Sequence, residues 1–205
     1  MTDNFALLAE RRRPWLDADA LKPKFLALAA TVHPDRQHNA TADEKKSANE
    51  RYAELNAAYI CLSNTKERLA HLLQLELGTK PDDVQKIPSV AMDVFMEVGT
   101  VLRDVDVFLA QKAQITSPVI KVQMFEKAME WTERLNQLQR RLNTTVDDLA
   151  NDLRAMNAAW DTAPADRAVR TSLLPLTRLE EIYRAVSFLS RWTDQVQQRI
   201  VFLSV

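Results

Sequence analysis

Glycine is scarce in this sequence of 205 residues, which contains only two, Gly78 and Gly99. Average usage predicts roughly 14 glycines in a chain of this length. Gly-rich phosphate loops need several glycines close together, because only a residue without Cβ lets the backbone approach a phosphate. Tight two-residue hairpins also favour glycine. The shortage therefore excludes dinucleotide-binding turns, P-loops and nucleophile elbows, and it argues against an all-β fold.

Cysteine is also scarce, neither sign of charge is in excess, and long apolar runs are absent from the sequence. The single cysteine, Cys61, cannot form an internal disulfide, so we expect a protein of the reducing cytoplasm. The formal net charge of −1 argues against a broad nucleic-acid surface. No apolar run reaches about eighteen residues, and the N-terminus lacks the charge order of a signal peptide. We therefore expect no membrane span and no nucleic-acid partner.

The residues that are abundant (Ala, Leu, Glu, Gln, Arg and Lys) are good helix formers, and they predict an all-α protein. Residues 1–78 read as a compact helical unit. Its first long helix, capped by Asp17 or Asp19, ends at Pro34, and a capping-box pattern at Thr41 starts the next, over 42–62. A further short helix ends at Gly78, a typical C′ residue.

A linker over residues 79–88, with two prolines, separates this unit from a predicted helical bundle over residues 89–205. We expect helices over 89–114 and 119–142. Thr145 with Asp148 is predicted to cap another helix that ends near Trp160. The final helix is expected to run from about 175 to 202.

The loop between the first two long helices carries the tripeptide His33-Pro34-Asp35. Around it, the sequence resembles the J domain of DnaJ-type co-chaperones. The matching positions are Leu21, Phe25 and Leu28 before the loop, Tyr52, Leu55, Ala58, Tyr59 and Leu62 after it, and the segment Leu62-Ser63-Asn64 with Arg68. The resemblance implies a helical hairpin whose loop docks on a DnaK-type chaperone and promotes ATP hydrolysis by it.

The chaperone-binding residues implied by this resemblance are His33, Pro34, Asp35 and Arg36 in the loop, with Lys22 and Lys24 on the preceding helix. Pro34 fixes the backbone, and the Asp35 carboxylate can accept bidentate hydrogen bonds from an arginine. The helix before the loop is strongly basic in the family. Here it keeps only Lys22 and Lys24, so we expect weak electrostatic steering and a specialised chaperone partner.

The rest of the chain resembles HscB-type co-chaperones, whose C-terminal three-helix bundle binds the scaffold protein for iron–sulfur cluster assembly. Generic DnaJ proteins have a Gly/Phe-rich linker and paired CxxC motifs, which two glycines and one cysteine exclude. The segment from Arg68 through His71 and the following leucines to Gly78 matches the HscB-type pattern. The resemblance implies client-binding residues at Met96, Glu97, Arg103, Asp104 and Phe188. The spacing between the first and second of these pairs is one residue longer than in the family.

Several other interpretations are open. His33 and His38 could be imagined as metal ligands, but exposed loop histidines are the better interpretation, and Cys61 reads as a small core residue. No arrangement of nucleophile and base indicates an enzyme. We expect no cofactor and a monomer. A J-domain protein whose bundle binds a different client, or self-associates through the C-terminal residues 200–205, is the alternative.

Overall fold

The structure is a computed structural model, and it describes residues 2–32, 41–81, 88 and 91–204, without the side chain of Asp93. The loop residues His33–Arg36 and His38 lie outside this range. Helices account for nearly all the regular structure, and the described part contains no strand. The all-α prediction is confirmed. The described helices are α1 (Asn4–Leu7), α2 (Ala18–Thr31), α3 (Ala42–Ser63), α4 (Thr65–Leu77), α5 (Met92–Ala113), α6 (Pro118–Thr162), α7 (Arg167–Leu173) and α8 (Leu176–Ser204).

Local capping signals set the helix boundaries in the first third of the chain. The Asp17 carboxylate caps α2, and the Asn64 side chain accepts the Glu67 N–H at the start of α4. Thr41 and Glu44 form a complete capping box at the start of α3, which lowers the pKa of the Glu44 carboxyl group through its hydrogen bonds to Thr41. Gly78 ends α4 with a φ of 84°, where an L side chain would be strained.

The boundary predicted near Thr145 is wrong, because α6 continues from Pro118 to Thr162 as one helix. The Thr144 and Thr145 hydroxyls donate to the carbonyls of Arg140 and Arg141, four residues back, at 3.1 Å in both cases. A threonine hydroxyl that donates to a carbonyl of the preceding turn makes its hydrogen bond inside the helix and does not need to cap a helix start. Helix α6 thus covers two stretches that the capping pattern had predicted to be separate. None of the described helices is long and apolar enough to cross a membrane.

The chain forms two compact units, and each contains two separate stretches of sequence. The first unit comprises Met1–Asp82 with Ala150–Tyr183, and the second comprises Asp83–Leu149 with Arg184–Val205. The boundaries therefore fall inside α6 and α8. The division into a J domain over 1–78, a linker and a bundle from 89 stays a prediction drawn from sequence.

The core of the first unit is built around α2, α3 and α4. Phe25 of α2 stacks on Tyr59 of α3 with ring centroids 4.5 Å apart, which joins the two helices of the hairpin. Fully buried leucines from the N-terminal segment and from α2, α3 and α4 complete the core. They include Leu8, Leu21, Leu62, Leu69, Leu72 and Leu73.

Two polar residues of α4 anchor the N-terminal segment to this core. Arg68 is buried and donates to the carbonyls of Pro14 and Leu62 at 2.9 and 2.7 Å, and burial lowers the pKa of its guanidinium to about 10. The His71 imidazole accepts the Asn4 N–H at 3.1 Å and stacks on Phe5. Burial lowers the pKa of His71, and the nearby Asp3 carboxylate opposes that shift.

A buried carboxylate at the end of α4 links this helix to the end of α6 and to α7. Glu76 is 1% exposed. The Arg170 guanidinium donates to both of its carboxylate oxygens, at 2.8 and 2.9 Å, and the Trp160 indole N–H donates to one of them at 3.2 Å. The Glu76 carbonyl accepts from the side chains of Arg167 and Thr171 at 3.3 and 3.4 Å. These bonds attach the hairpin to the end of α6 and to α7, so residues 150–183 help to stabilise it.

The second unit packs α5, the first part of α6 and the end of α8 together. Its core is aliphatic, with Val98, Val101 and Val105 from α5 and Leu135, Leu138 and Leu142 from α6, all at most 2% exposed. From α8 come Leu189, Val196 and Leu203. Arg199 of α8 pairs with Asp106 of α5 through two hydrogen bonds of 3.0 Å.

Arg170→Met should strongly destabilise the first unit, because it leaves the Glu76 carboxylate buried without its cation. Loss of one partner of a buried pair costs about 3–5 kcal/mol. Chemical denaturation followed by far-UV circular dichroism measures the change. The matched control is Arg178→Met, which removes an exposed pair with Asp152 and Glu181 and should cost less than about 1 kcal/mol. Equal losses in the two variants would show that Glu76 does not depend on Arg170.

Stability should also fall as the pH decreases through about 6.5, the ordinary pKa of histidine. The pKa of His71 is lowered in the folded chain, so as the pH falls the imidazole is protonated first in the unfolded chain. This protonation stabilises the unfolded chain relative to the folded one. The loss should continue until the pH reaches the lowered pKa of the folded state. His71→Gln should flatten this part of the stability–pH curve, measured by urea denaturation. An unchanged slope in this variant would show that His71 does not cause the pH dependence.

Candidate functional site

The α2–α3 hairpin brings the two ends of the predicted chaperone-binding loop together. Helix α2 ends at Thr31 and α3 begins at Ala42, so the connection must return within about ten residues. The stacked Phe25 and Tyr59 rings hold the two helices side by side. His33, Pro34, Asp35 and Arg36 belong to that connection and lie outside the described residues, so their roles stay predictions.

The two lysines of α2 differ in their surroundings, although both are exposed. The Lys24 ammonium donates to the Glu10 carboxylate at 2.7 Å and to the Ala9 carbonyl at 3.2 Å. Its charge is thereby partly neutralised by the N-terminal segment. Lys22 lies in the first part of the same helix. The positive potential that α2 can offer a partner is accordingly smaller than its two lysines suggest.

A shallow cleft of about 480 Å³ lies at the start of α3, next to Val32 at the end of α2. Its lining includes Asp43, Glu44, Ser47 and Arg51. Acidic groups outnumber basic ones in this lining. The sequence does not predict this cleft, because its lining comes from the end of α2 and the first turns of α3, which only the tertiary structure brings together.

The predicted client-binding residues of α5 divide between an exposed stripe and its edge. Met96 is 65% exposed, and Arg103, two turns later, is exposed on the same side. Met92 and Val107 extend the stripe in both directions. We call these four residues the α5 stripe. It offers a partner apolar groups with one guanidinium between them.

Glu97 and Asp104 are half-buried at the edge of the α5 stripe. The Glu97 carboxylate pairs with Arg141 of α6, which fixes its position against the neighbouring helix. Arg141 was not anticipated from the sequence, because it lies 44 residues away and follows no motif. Its guanidinium adds positive charge beside the stripe.

Phe188 of α8 is half-buried in a small aromatic cluster. Its ring lies 5.5 Å from that of Trp192, which in turn lies 5.8 Å from Phe95 of α5. The Arg191 guanidinium sits 4.5 Å from the Phe188 ring centroid. Phe188 therefore supports Trp192, which packs against α5, and presents part of its own ring at the surface.

Gly99 lies on the exposed side of α5 and does not interrupt the helix. A Cβ at this position would meet no atom within 4 Å. Packing within the chain therefore does not require glycine there. Nothing in the structure explains why this position lacks a side chain.

The remaining candidates of the sequence lie away from these surfaces. The Cys61 thiol is half-buried and contacts the Glu67 carbonyl at 3.7 Å, and burial raises its pKa. It behaves as a packing residue with little thiolate. Among the described residues, no three His, Cys, Asp or Glu side chains are grouped as metal ligands would be.

Comparison with known proteins gives one consistent likeness. No protein-family model matches the chain. A co-chaperone protein HscB homolog of Chromobacterium violaceum is 29% identical over 154 residues, which cover 75% of each sequence. The structure is similar to human co-chaperone protein HscB, with a TM-score of 0.65 and 15% identity, over 97% of this chain and 82% of the human one. Chaperone HscB from Vibrio cholerae matches with a TM-score of 0.58 and 19% identity, over 96% of both chains. The resemblance predicted from sequence is confirmed: this chain has the fold of an HscB-type co-chaperone.

Proposed function

We propose that this protein is a co-chaperone that stimulates the ATPase of a DnaK-type chaperone and presents to it an iron–sulfur cluster scaffold protein. The chaperone hydrolyses the ATP, and this chain does no covalent chemistry. One observation carries the proposal: the HscB-type fold extends over 97% of the chain, and the hairpin connection of that fold contains His33-Pro34-Asp35. The single cysteine suits a reducing compartment such as the cytoplasm.

The chaperone would bind at the α2–α3 connection. Pro34 restricts the backbone there, and Asp35 supplies a carboxylate that an arginine of the chaperone can grip with two hydrogen bonds. Lys22 would add positive charge, whereas Lys24 is held by Glu10. Because the long-range attraction is small, close contacts of the loop would decide which chaperone is recognised.

The scaffold protein would bind along the α5 stripe. Met96 would act as an apolar anchor, since it offers a flexible and polarisable side chain that is 65% exposed. Arg103, with Glu97 and Asp104 at the edge, would set the orientation of the partner through charge. The exposed part of Phe188 would extend the surface onto α8.

Asp35→Asn should leave the fold intact and abolish the stimulation of the chaperone ATPase. The amide keeps the size of the side chain but loses the charge that an arginine recognises. Single-turnover ATP hydrolysis by the DnaK-type chaperone measures the effect. Asp147→Asn, the same change at an exposed position of α6, is the control and should stimulate normally. If Asp35→Asn stimulates every DnaK-type chaperone of the organism as the unmodified chain does, the co-chaperone assignment is wrong.

Met96→Ala should weaken scaffold binding about tenfold or more, as expected for an interface anchor, with a stability change within about 0.5 kcal/mol. Calorimetric titration with the scaffold protein measures the affinity. Ile60→Ala is the control, because Ile60 is an apolar residue of α3, outside the α5 stripe, with a similar exposure of 58%. Phe188→Ala should also weaken binding, together with some loss of stability from the aromatic cluster. Absence of scaffold binding by the unmodified chain would favour a J-domain protein with a different client.

A further inference from the structure

The first three turns of α6 carry a second apolar face that no other described part of the second unit covers. Val122, Phe125 and Met129 are 63%, 64% and 59% exposed, and Val119 at the edge is 72% exposed. Large apolar side chains grouped in this way mark interaction sites. We call Val122, Phe125 and Met129 the α6 seam.

The α6 seam is distinct from the face that α6 contributes to the core. At 100° per residue, the three seam residues fall within an arc of about 60°. The core residues of the same helix point roughly 140° away from them. Those core residues are Leu135, Leu138 and Leu142, all at most 1% exposed. Helix α6 therefore has two apolar sides, of which its own unit uses one.

The position of α8 explains why the seam is bare. Helix α8 lies parallel to α5, and α6 runs antiparallel to both. The side chain of Gln139 on α6 is hydrogen-bonded to that of Gln197 on α8 at 3.3 Å. Leu203, six residues beyond Gln197, is thus level with about residue 133 of α6. The stretch from Pro118 to about 132 extends past the last described turn of α8 by some 20 Å.

The residues that flank the seam have the charge pattern of a parallel helix pair. With Val122 and Met129 at a positions and Phe125 at d, Lys121 takes position g and Glu126 takes position e. In a parallel pair, a g residue faces the e′ residue five positions further along the other helix. Lys121 of one copy would face Glu126 of a second copy, and the two-fold symmetry would repeat the pair.

An antiparallel pair lacks this complementarity. Each edge of the seam would then face the same edge of the other helix, so Glu126 of one copy would meet the edge that carries Glu126 of the other. Like charges in that arrangement repel each other. A β-branched residue at a, here Val122, also favours two parallel strands.

From this geometry we infer that the α6 seam pairs with the α6 seam of a second copy of this chain, side by side and parallel. The inference is independent of the client and of the chaperone. The seam spans less than the three to four heptads typical of a lasting coiled coil. Pairing is consequently reversible and depends on protein concentration, so dilute protein is a monomer, as the sequence predicts.

Analytical ultracentrifugation of the full chain over a roughly hundredfold concentration range tests the inference. The unmodified chain should shift from monomer to dimer. Phe125→Glu should raise the dissociation constant at least about tenfold. Ile60→Glu changes an apolar residue of α3 that is 58% exposed, and it should leave the dimer unchanged. A monomer at every concentration, or a dimer that Phe125→Glu does not weaken, would overturn the inference.

Two further variants test the orientation. Lys121→Glu alone should weaken the dimer, and Lys121→Glu with Glu126→Lys should restore it. Val122→Cys in a Cys61→Ser background should form a disulfide between copies under mild oxidation, because equivalent a positions meet only in a parallel pair. No restoration by the charge swap, together with no cross-link at residue 122, would exclude the parallel arrangement.

Discussion

Glu76 is a charged residue at the end of a leucine-rich helix, and its burial requires partners that come from far along the chain. Arg170 and Trp160 satisfy the carboxylate, and Arg167 and Thr171 satisfy the carbonyl of the same residue. These hydrogen bonds fix the end of α4. Arg68 and His71, earlier in the same helix, hold the N-terminal segment in place. The α2–α3 hairpin, which flanks the predicted docking loop, is therefore stabilised by residues more than 80 positions away in sequence.

Local signals made much of the helical framework predictable from sequence. The Thr41–Glu44 capping box and Gly78 each act within one turn of the backbone, and both lie where expected. The Thr145 signal failed because a threonine hydroxyl can also bond back to the helix carbonyl four residues earlier. A cap and a helix-internal threonine look the same in sequence, since only the backbone path distinguishes them.

The candidate site was less predictable than the fold, because it depends on long-range pairing and on exposure. Periodicity assigns Met96, Val98 and Arg103 to α5, but only packing shows that Val98 is core while the other two face outward. The partnership of Glu97 with Arg141 and the restraint of Lys24 by Glu10 likewise follow from the tertiary structure. The exposure of the α6 seam was also invisible, since its apolar spacing matches that of a core-facing stripe.

The proposed co-chaperone function assigns chaperone docking and client binding to separate surfaces of one chain. If one chain binds both partners, the two should act together on the chaperone ATPase. The most direct test measures the ATPase rate of the DnaK-type chaperone with this protein alone, with the scaffold protein alone, and with both. Both together are expected to stimulate hydrolysis well beyond the product of the two separate stimulations. Stimulation by both that is no greater than that product would contradict the proposed function.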